Sequence, residues 1–153
     1  MYFIARRKID RVSDRGTEIT SAAEALKVFG KFADEERECF WALFLDSRRR
    51  ALKEPYLLSL GTMTATLVHP RELFSAALEA KAIAMIVCHN HPSGDPTPSA
   101  DDFAMTDRLV QAGSLMGIEV LDHLIIARDG YRSLRALGRI GCKQDETFPW
   151  SNG

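Results

Sequence analysis

Two histidines, a serine and an aspartate are spaced in a way that suits metal-assisted hydrolysis. His89 and His91 lie two residues apart, so in an extended chain both imidazoles point to the same side. Ser99 and Asp102 follow after a stretch rich in proline and glycine. If that stretch turns the chain back, the Asp102 carboxylate can meet the two imidazoles. Two histidines and one carboxylate leave a fourth position for water, which is the layout of a catalytic zinc site.

Each part of this pattern also has a simpler structural interpretation. Ser99 and Asp102 form an S-x-x-D sequence, which by itself predicts a capping box at a helix start. Histidines two residues apart have many roles besides metal binding. The interpretations are compatible, because Ser99 can begin a helix while Asp102 faces outward from its first turn. The succession of buried strand, turn and helix start favours the metal site.

Segments of helical and strand pattern alternate along the rest of the chain. A capping box at Ser21 predicts a helix to about Phe32. Pro70 begins a second helix, and Ser99 begins a third that we expect to end near Gly117. Predicted strands cover residues 39–46, 52–60, 82–88, 118–127 and 131–134. The order α-β-β-α-β-α-β-β predicts an α/β domain with a mixed sheet flanked by helices.

One domain accounts for the length of the chain, which has 153 residues and a mass of 17.1 kDa. We predict an N-terminal arm or strand over residues 1–20, the domain over 21–138 and a loosely ordered tail over 139–153. The proline and glycine content of residues 89–98 predicts a loop that carries both histidines.

Charge and cysteine content restrict the function classes. Twenty Lys and Arg against twenty-one Asp and Glu give a net charge of -1, which does not support binding to DNA through phosphate contacts. No window approaches the roughly 20 apolar residues of a membrane span. Three cysteines without a C-x-x-C pair favour a reducing cytoplasm over a disulfide scaffold.

The spacing from His89 to Asp102 is that of the JAMM motif, H-x-H-x7-S-x2-D, so the chain resembles the JAB/MPN+ metalloproteases. The fuller text H-N-H-P-S-G-D-P-T-P-S, with V-H-P-R-E before it and L-D-H-L-I-I after it, is similar to the RadC branch. The similarity covers about residues 21–137 and implies one JAB/MPN-like domain with a cytidine-deaminase-like layout. Longer RadC-type proteins carry an N-terminal helix-hairpin-helix segment, for which residues 1–20 are too short, so we expect the short form.

The resemblance implies a role for each matching residue. His89, His91 and Asp102 match the ligands of Zn²⁺. Ser99 matches the serine whose hydroxyl stabilises the oxyanion of the tetrahedral state, a task that needs a positioned donor.

The same resemblance implies a glutamate that holds the attacking water and carries its proton. Glu38, directly before the predicted strand at residue 39, is the match. Glu36 and Glu35 are near enough to remain alternatives. A general base of this kind typically contributes 10²–10⁴-fold to the rate.

Two residues beside the motif keep open interpretations. Strand alternation predicts that Cys88 points away from His89 into the core, whereas a thiolate on the metal side would compete for zinc. His123, in the sequence L-D-H, is either a partner that orients a zinc ligand or a core histidine held by a hydrogen bond.

These observations predict a zinc metallohydrolase that cleaves a peptide or isopeptide amide in a protein or peptide substrate. Two alternatives are a DNA-associated RadC-type repair factor and a non-catalytic MPN-like scaffold. The adjacent H-N-H does not indicate an HNH nuclease, because those nucleases spread the three residues over a ββα-metal motif. The resemblance also implies a bacterial or phage origin, while oligomeric state has no signal in the sequence.

Overall fold

The computed structural model describes residues 16–60 and 68–141. Most of the predicted N-terminal arm, the threonine-rich segment 61–67 and residues 142–153 lie outside the described residues. Within those ranges the chain forms three α-helices and five strands in the predicted order. The helices are α1 (Ala22–Phe29), α2 (Pro70–Glu79) and α3 (Ala100–Met116). The strands are β1 (Cys39–Leu45), β2 (Tyr56–Leu60), β3 (Ala84–Asn90), β4 (Glu119–Ala127) and β5 (Gly130–Ser133).

The strands form one mixed sheet in the order β2-β1-β3-β4-β5. β3 runs parallel to β4 and antiparallel to β1, and the two outer pairs are antiparallel. Every residue of β1 and of β3 is buried, as expected for apolar strands that are covered on both faces. The predicted α/β domain with a mixed sheet is confirmed.

The two faces of the sheet bury separate apolar clusters. Phe40 of β1 and Val87 of β3 pack in the cluster that includes residues of α2 and α3. Trp41 and Cys88 pack in the cluster that includes residues of α1. Cys88 therefore points away from the side of His89, as the strand alternation predicts.

Local signals set the helix ends. The Ser99 hydroxyl accepts from the Asp102 amide, and the Asp102 carboxylate accepts from the Ser99 amide, which completes a capping box at the start of α3. Gly117 ends α3 in the left-handed region at φ 67°, where glycine has no Cβ penalty. Pro70 occupies the first turn of α2.

Several predicted strand limits differ from the observed ones, and two of these differences have a clear physical reason. β2 begins at Tyr56 instead of residue 52, because Pro55 has no N–H to donate to a ladder. β3 continues to Asn90 instead of ending at Cys88. His89 and Asn90 pair with Ile125 and Ile126 of β4, so they belong to the strand and not to the loop.

The last described residues pack against the domain. Ile140, within the predicted tail, is buried in a small cluster with Ile125 and Leu134. The Arg139 guanidinium lies 3.1 Å from the Asp107 carboxylate of α3.

Candidate metal centre

Four side chains from three separate segments of the sequence meet at one end of β3. The Nε2 atom of His89 lies 2.9 Å from the Nε2 atom of His91 and 3.1 Å from Oδ1 of Asp102. The other Asp102 oxygen lies 3.2 Å from His91 Nε2. With Glu38, these residues place four ligand atoms within 4.8 Å of one another. This group could hold a metal ion.

His91 is held by the backbone on both sides. Its amide donates to the Ile126 carbonyl at 2.9 Å, which extends the β3–β4 pairing one residue past the strand. Its ring atom Nδ1 lies 2.9 Å from the Asp95 carbonyl oxygen. Because a carbonyl oxygen only accepts, we assign the proton of this ring to Nδ1. The Nε2 lone pair is then directed at His89 and Asp102.

A buried chain of hydrogen bonds fixes the tautomer of His89. The single Thr106 hydroxyl proton goes to the Asp102 carbonyl at 2.7 Å, so the hydroxyl oxygen accepts from His123 Nδ1, also at 2.7 Å. His123 Nε2 then accepts from His89 Nδ1, again at 2.7 Å. The neutral ring of His89 therefore carries its proton on Nδ1 and presents the Nε2 lone pair to the cluster.

His123 reaches this position because β4 contains a bulge. The register between β3 and β4 shifts between Met85 and Ile86, where Val120 and Asp122 are their respective partners. The extra residue, Leu121, reverses the alternation of side chains along β4. His123 consequently lies on the same face as His89 and takes the orienting role that the sequence left open.

Two functional contacts are not predicted from the sequence. Thr106 has no motif of its own, although its position four residues after Asp102 on a helix is a signal that could have identified it. Asp122, which precedes His123 in L-D-H, makes the other contacts. Its carboxylate accepts from the amides of His123 and Arg135 and from the Ser133 hydroxyl, which anchors β5.

Burial and charge shift the acid–base properties of the cluster in opposite directions. Burial alone would raise the pKa of Asp102, but hydrogen bonds with His89 and His91 hold it well below its usual range. The hydrogen bond with Asp102 raises the pKa of His91. Complete burial, together with nearby His89, holds the pKa of His123 well below its ordinary value of 6.5. His123 therefore stays neutral, and its Nε2 atom can accept a hydrogen bond from His89 Nδ1.

The donor spacing matches a small four-coordinate ion. Bonds of about 2.0–2.1 Å in a tetrahedron separate neighbouring ligand atoms by about 3.3–3.4 Å. The three distances among His89, His91 and Asp102, from 2.9 to 3.2 Å, are close to that value. Glu38 Oε1 lies farther away, 4.0 Å from His89 Nε2. The first three residues thus fit direct ligands, and Glu38 fits a group that contacts a water beside the ion.

The structure separates Glu38 from the other two glutamates. Among the described residues, the group of close ligand atoms includes Glu38 but neither Glu36 nor Glu35. The Glu38 side chain is one-third exposed, so it faces both the buried imidazoles and the solvent.

Ser99 is exposed, and its hydroxyl combines capping with an unused donor. Its hydroxyl oxygen accepts from the Asp102 amide at 3.1 Å. Within residues 16–60 and 68–141, no hydrogen bond uses its hydroxyl proton. A substrate oxygen could therefore accept a hydrogen bond from the Ser99 hydroxyl while the cap remains in place.

Comparison with known proteins places this chain in a family. The family model of the RadC-like JAB domain matches residues 19–139. A UPF0758 protein of Desulforamulus reducens is 48% identical over 107 residues, which cover 70% of this chain and 47% of the relative. A UPF0758 protein of Methanosarcina mazei is 39% identical over 139 residues, 90% of this chain and 60% of the relative. The chain thus spans about half the length of the curated relatives it matches.

In the described ranges, no helix has the length and apolar character needed to cross a bilayer.

Proposed function

The chain belongs to the RadC-like JAB domain family, and on that premise we propose that it is a zinc-dependent metallopeptidase. Its reaction would be hydrolysis of a peptide or isopeptide amide in a peptide or protein substrate. The family membership and the group of Glu, His, His and Asp support a metallohydrolase.

One observation carries the proposal: two imidazole Nε2 atoms and both oxygens of one carboxylate converge on one point. In their neutral tautomers His89 and His91 direct two Nε2 lone pairs there, 2.9 Å apart, and each Asp102 oxygen lies within 3.2 Å of one of them. Lone pairs and a carboxylate at these distances repel one another unless a proton or a metal cation lies among them. The convergence of these atoms, with Glu38 nearby, supports a cation site.

The chemistry of the donors favours zinc over hard cations. Calcium and magnesium prefer oxygen ligands, whereas two imidazoles and one carboxylate suit zinc and similar transition metals. Three protein ligands leave one position open, which supports a catalytic site over a closed structural one.

Bound zinc would lower the pKa of its water to about 7 and polarise a carbonyl group. Glu38 would accept a proton from the attacking water, because its carboxylate is near the ligands without belonging to their tetrahedron. The protonated Glu38 would then donate to the leaving amine. The Ser99 hydroxyl would donate to the carbonyl oxygen as its negative charge develops.

The first test is the metal content of protein purified without a metal-affinity tag. We expect about one zinc per chain, by elemental analysis, in the wild type and loss of that zinc in Asp102→Asn. The asparagine keeps an oxygen for the Ser99 amide, so the helix cap survives while the ligand charge is removed. Asp101→Asn, on the exposed neighbour outside the cluster, is the matched control. A wild type that takes up no zinc even after incubation with the ion would sink the proposal.

The second test is hydrolysis of a peptide library by the zinc-loaded protein. Glu38→Gln should lower amide hydrolysis by 10²–10⁴-fold while zinc binding is retained. Glu36→Gln should have nearly the wild-type rate, because Glu36 lies outside the cluster. A chelator should abolish the activity. Hydrolysis that survives both Glu38→Gln and the chelator would exclude this mechanism.

A further inference from the structure

Asn90, the middle residue of the H-N-H tripeptide, lies between two proposed ligands but faces the other side of the sheet. His89 contacts His123 on the face of α3, while the fully buried Asn90 side chain contacts the segment before β1. This division follows from the alternation of side chains along β3. The tripeptide therefore directs side chains to both faces of the sheet at the end of β3.

The Asn90 amide binds the backbone on both sides of Glu38. Its Oδ1 accepts from the Cys39 amide at 2.7 Å. Its Nδ2 donates to the carbonyl oxygens of Glu35 at 3.0 Å and Arg37 at 2.9 Å. Three hydrogen bonds use both donors of the side chain and one of its oxygen lone pairs. They enclose a five-residue segment whose fourth member is Glu38.

The segment needs this support because it has little regular structure. Residues 35–38 lie between the short 3₁₀ turn that ends at Phe32 and the first residue of β1. Its register with β3 begins only at Phe40, which pairs with His89. The bonds to Asn90 thus connect the backbone that carries Glu38 to the strand that carries His89.

We propose that Asn90 is a positioning residue that holds Glu38 at its working distance from the metal ligands. This inference rests on the proposed function, since it assigns Glu38 the role of general base. The chemistry at position 90 is specific. Aspartate keeps the acceptor for Cys39 but places a carboxylate oxygen against two carbonyl oxygens, and alanine removes all three bonds.

The test compares Asn90→Asp with Cys88→Ala in the zinc-loaded protein. Cys88 lies on the same face of β3, and its thiol donates to the His89 carbonyl, so the three bonds of Asn90 do not depend on it. We expect Asn90→Asp to lower kcat about 10–10²-fold, as for a reacting group displaced by about 1 Å. KM and the zinc Kd should stay within about twofold. Cys88→Ala should lower thermal stability and leave kcat unchanged.

A double-mutant cycle separates positioning from general damage. In a Glu38→Gln background, Asn90→Asp should lower kcat by less than a further factor of about two, because the group that Asn90 positions is already disabled. A structural defect would instead lower the rate of Glu38→Gln by the same factor as that of the wild type, and that result would overturn the inference.

Hydrogen exchange tests the contact without any substrate. The Cys39 amide should exchange about tenfold faster in Asn90→Ala or, if that variant folds poorly, in Asn90→Ser, while the Val87 amide in β3 keeps its protection. Unchanged exchange at Cys39 would reject the inference even in an active enzyme. If exchange at Cys39 changes but the protein cleaves no amide, the proposed function is rejected, whereas the contact between Asn90 and Cys39 is confirmed.

Discussion

His89 Nδ1 lies 2.7 Å from His123 Nε2, and both rings are fully buried. His123 is in turn 2.7 Å from the Thr106 hydroxyl. This contact determines which nitrogen of His89 carries a proton, so a residue outside the group of close ligand atoms controls the lone pair that His89 presents to it.

Replacement of His123 by leucine should weaken zinc binding about 10–100-fold, the usual cost of removing an orienting partner. The buried N–H of His89 would lose its acceptor, and the ring could rotate away from the cluster. Competition with a chromophoric chelator gives the zinc Kd. Thr106→Val, which leaves the His123 ring in place, should have a smaller effect of less than about tenfold. Equal zinc affinity in His123→Leu and wild type would refute the orienting role.

Ser99→Gly should separate helix capping from catalysis. Glycine at an N-cap costs only a few tenths of a kcal/mol relative to serine, and the Asp102 carboxylate can still accept from the residue 99 amide. The hydroxyl donor for the oxyanion is nevertheless lost, so kcat should fall about 10²–10³-fold. Urea unfolding and amide hydrolysis measured on the same preparation check both parts. An active Ser99→Gly would leave Ser99 with a capping role alone.

The metal-free protein should lose stability on both sides of pH 6.5 through two histidines. His91 has a raised pKa in the folded state, so its contribution is complete below pH 6.5 and is lost as the pH rises through the raised value. His123 has a lowered pKa. Below pH 6.5 the unfolded chain binds a proton at this residue and the folded chain does not. The free energy of unfolding therefore decreases as the pH is lowered.

Thermal unfolding of the chelator-treated protein between pH 5 and 8 measures this effect. In His91→Asn the loss of stability above pH 6.5 should be smaller, while the loss below it remains. A His91→Asn protein whose Tm falls as steeply as the wild type between pH 6.5 and 8 would contradict the assignment to His91.

Two glycine-to-alanine variants should change stability in opposite directions. At Gly113 in α3, a Cβ would clash with the Ile118 backbone carbonyl and lie 3.5 Å from Phe74, so Gly113→Ala should cost about 1–3 kcal/mol. Gly30 has φ -56° and ψ -29°, with nothing within 4 Å of the added carbon. Gly30→Ala should therefore stabilise the fold by about 0.4–1 kcal/mol. Urea unfolding gives both values, and a neutral Gly113→Ala would show that the α3–β4 connection relaxes easily.

Much of this protein follows from local sequence, because local signals act over a few residues. The capping boxes at Ser21 and Ser99, the terminal Gly117 and the apolar runs of β1 and β3 give the order of elements. The H-x-H spacing and the S-x-x-D box also identify the residues that meet at the site, since their relative placement depends on one strand, one turn and one helix start.

Contacts between distant segments were decided only by tertiary structure. The bulge in β4 places His123 beside His89, although strict alternation from Val120 would put it on the other face. The bonds of Asn90 span more than fifty residues to the Glu38 segment. Strand register and long-range hydrogen bonds arise from the packing of the whole sheet, so no short sequence pattern encodes them. The sequence by itself therefore determined that His89, His91 and Asp102 form the site, and the fold decided which glutamate joins them and which residues orient them.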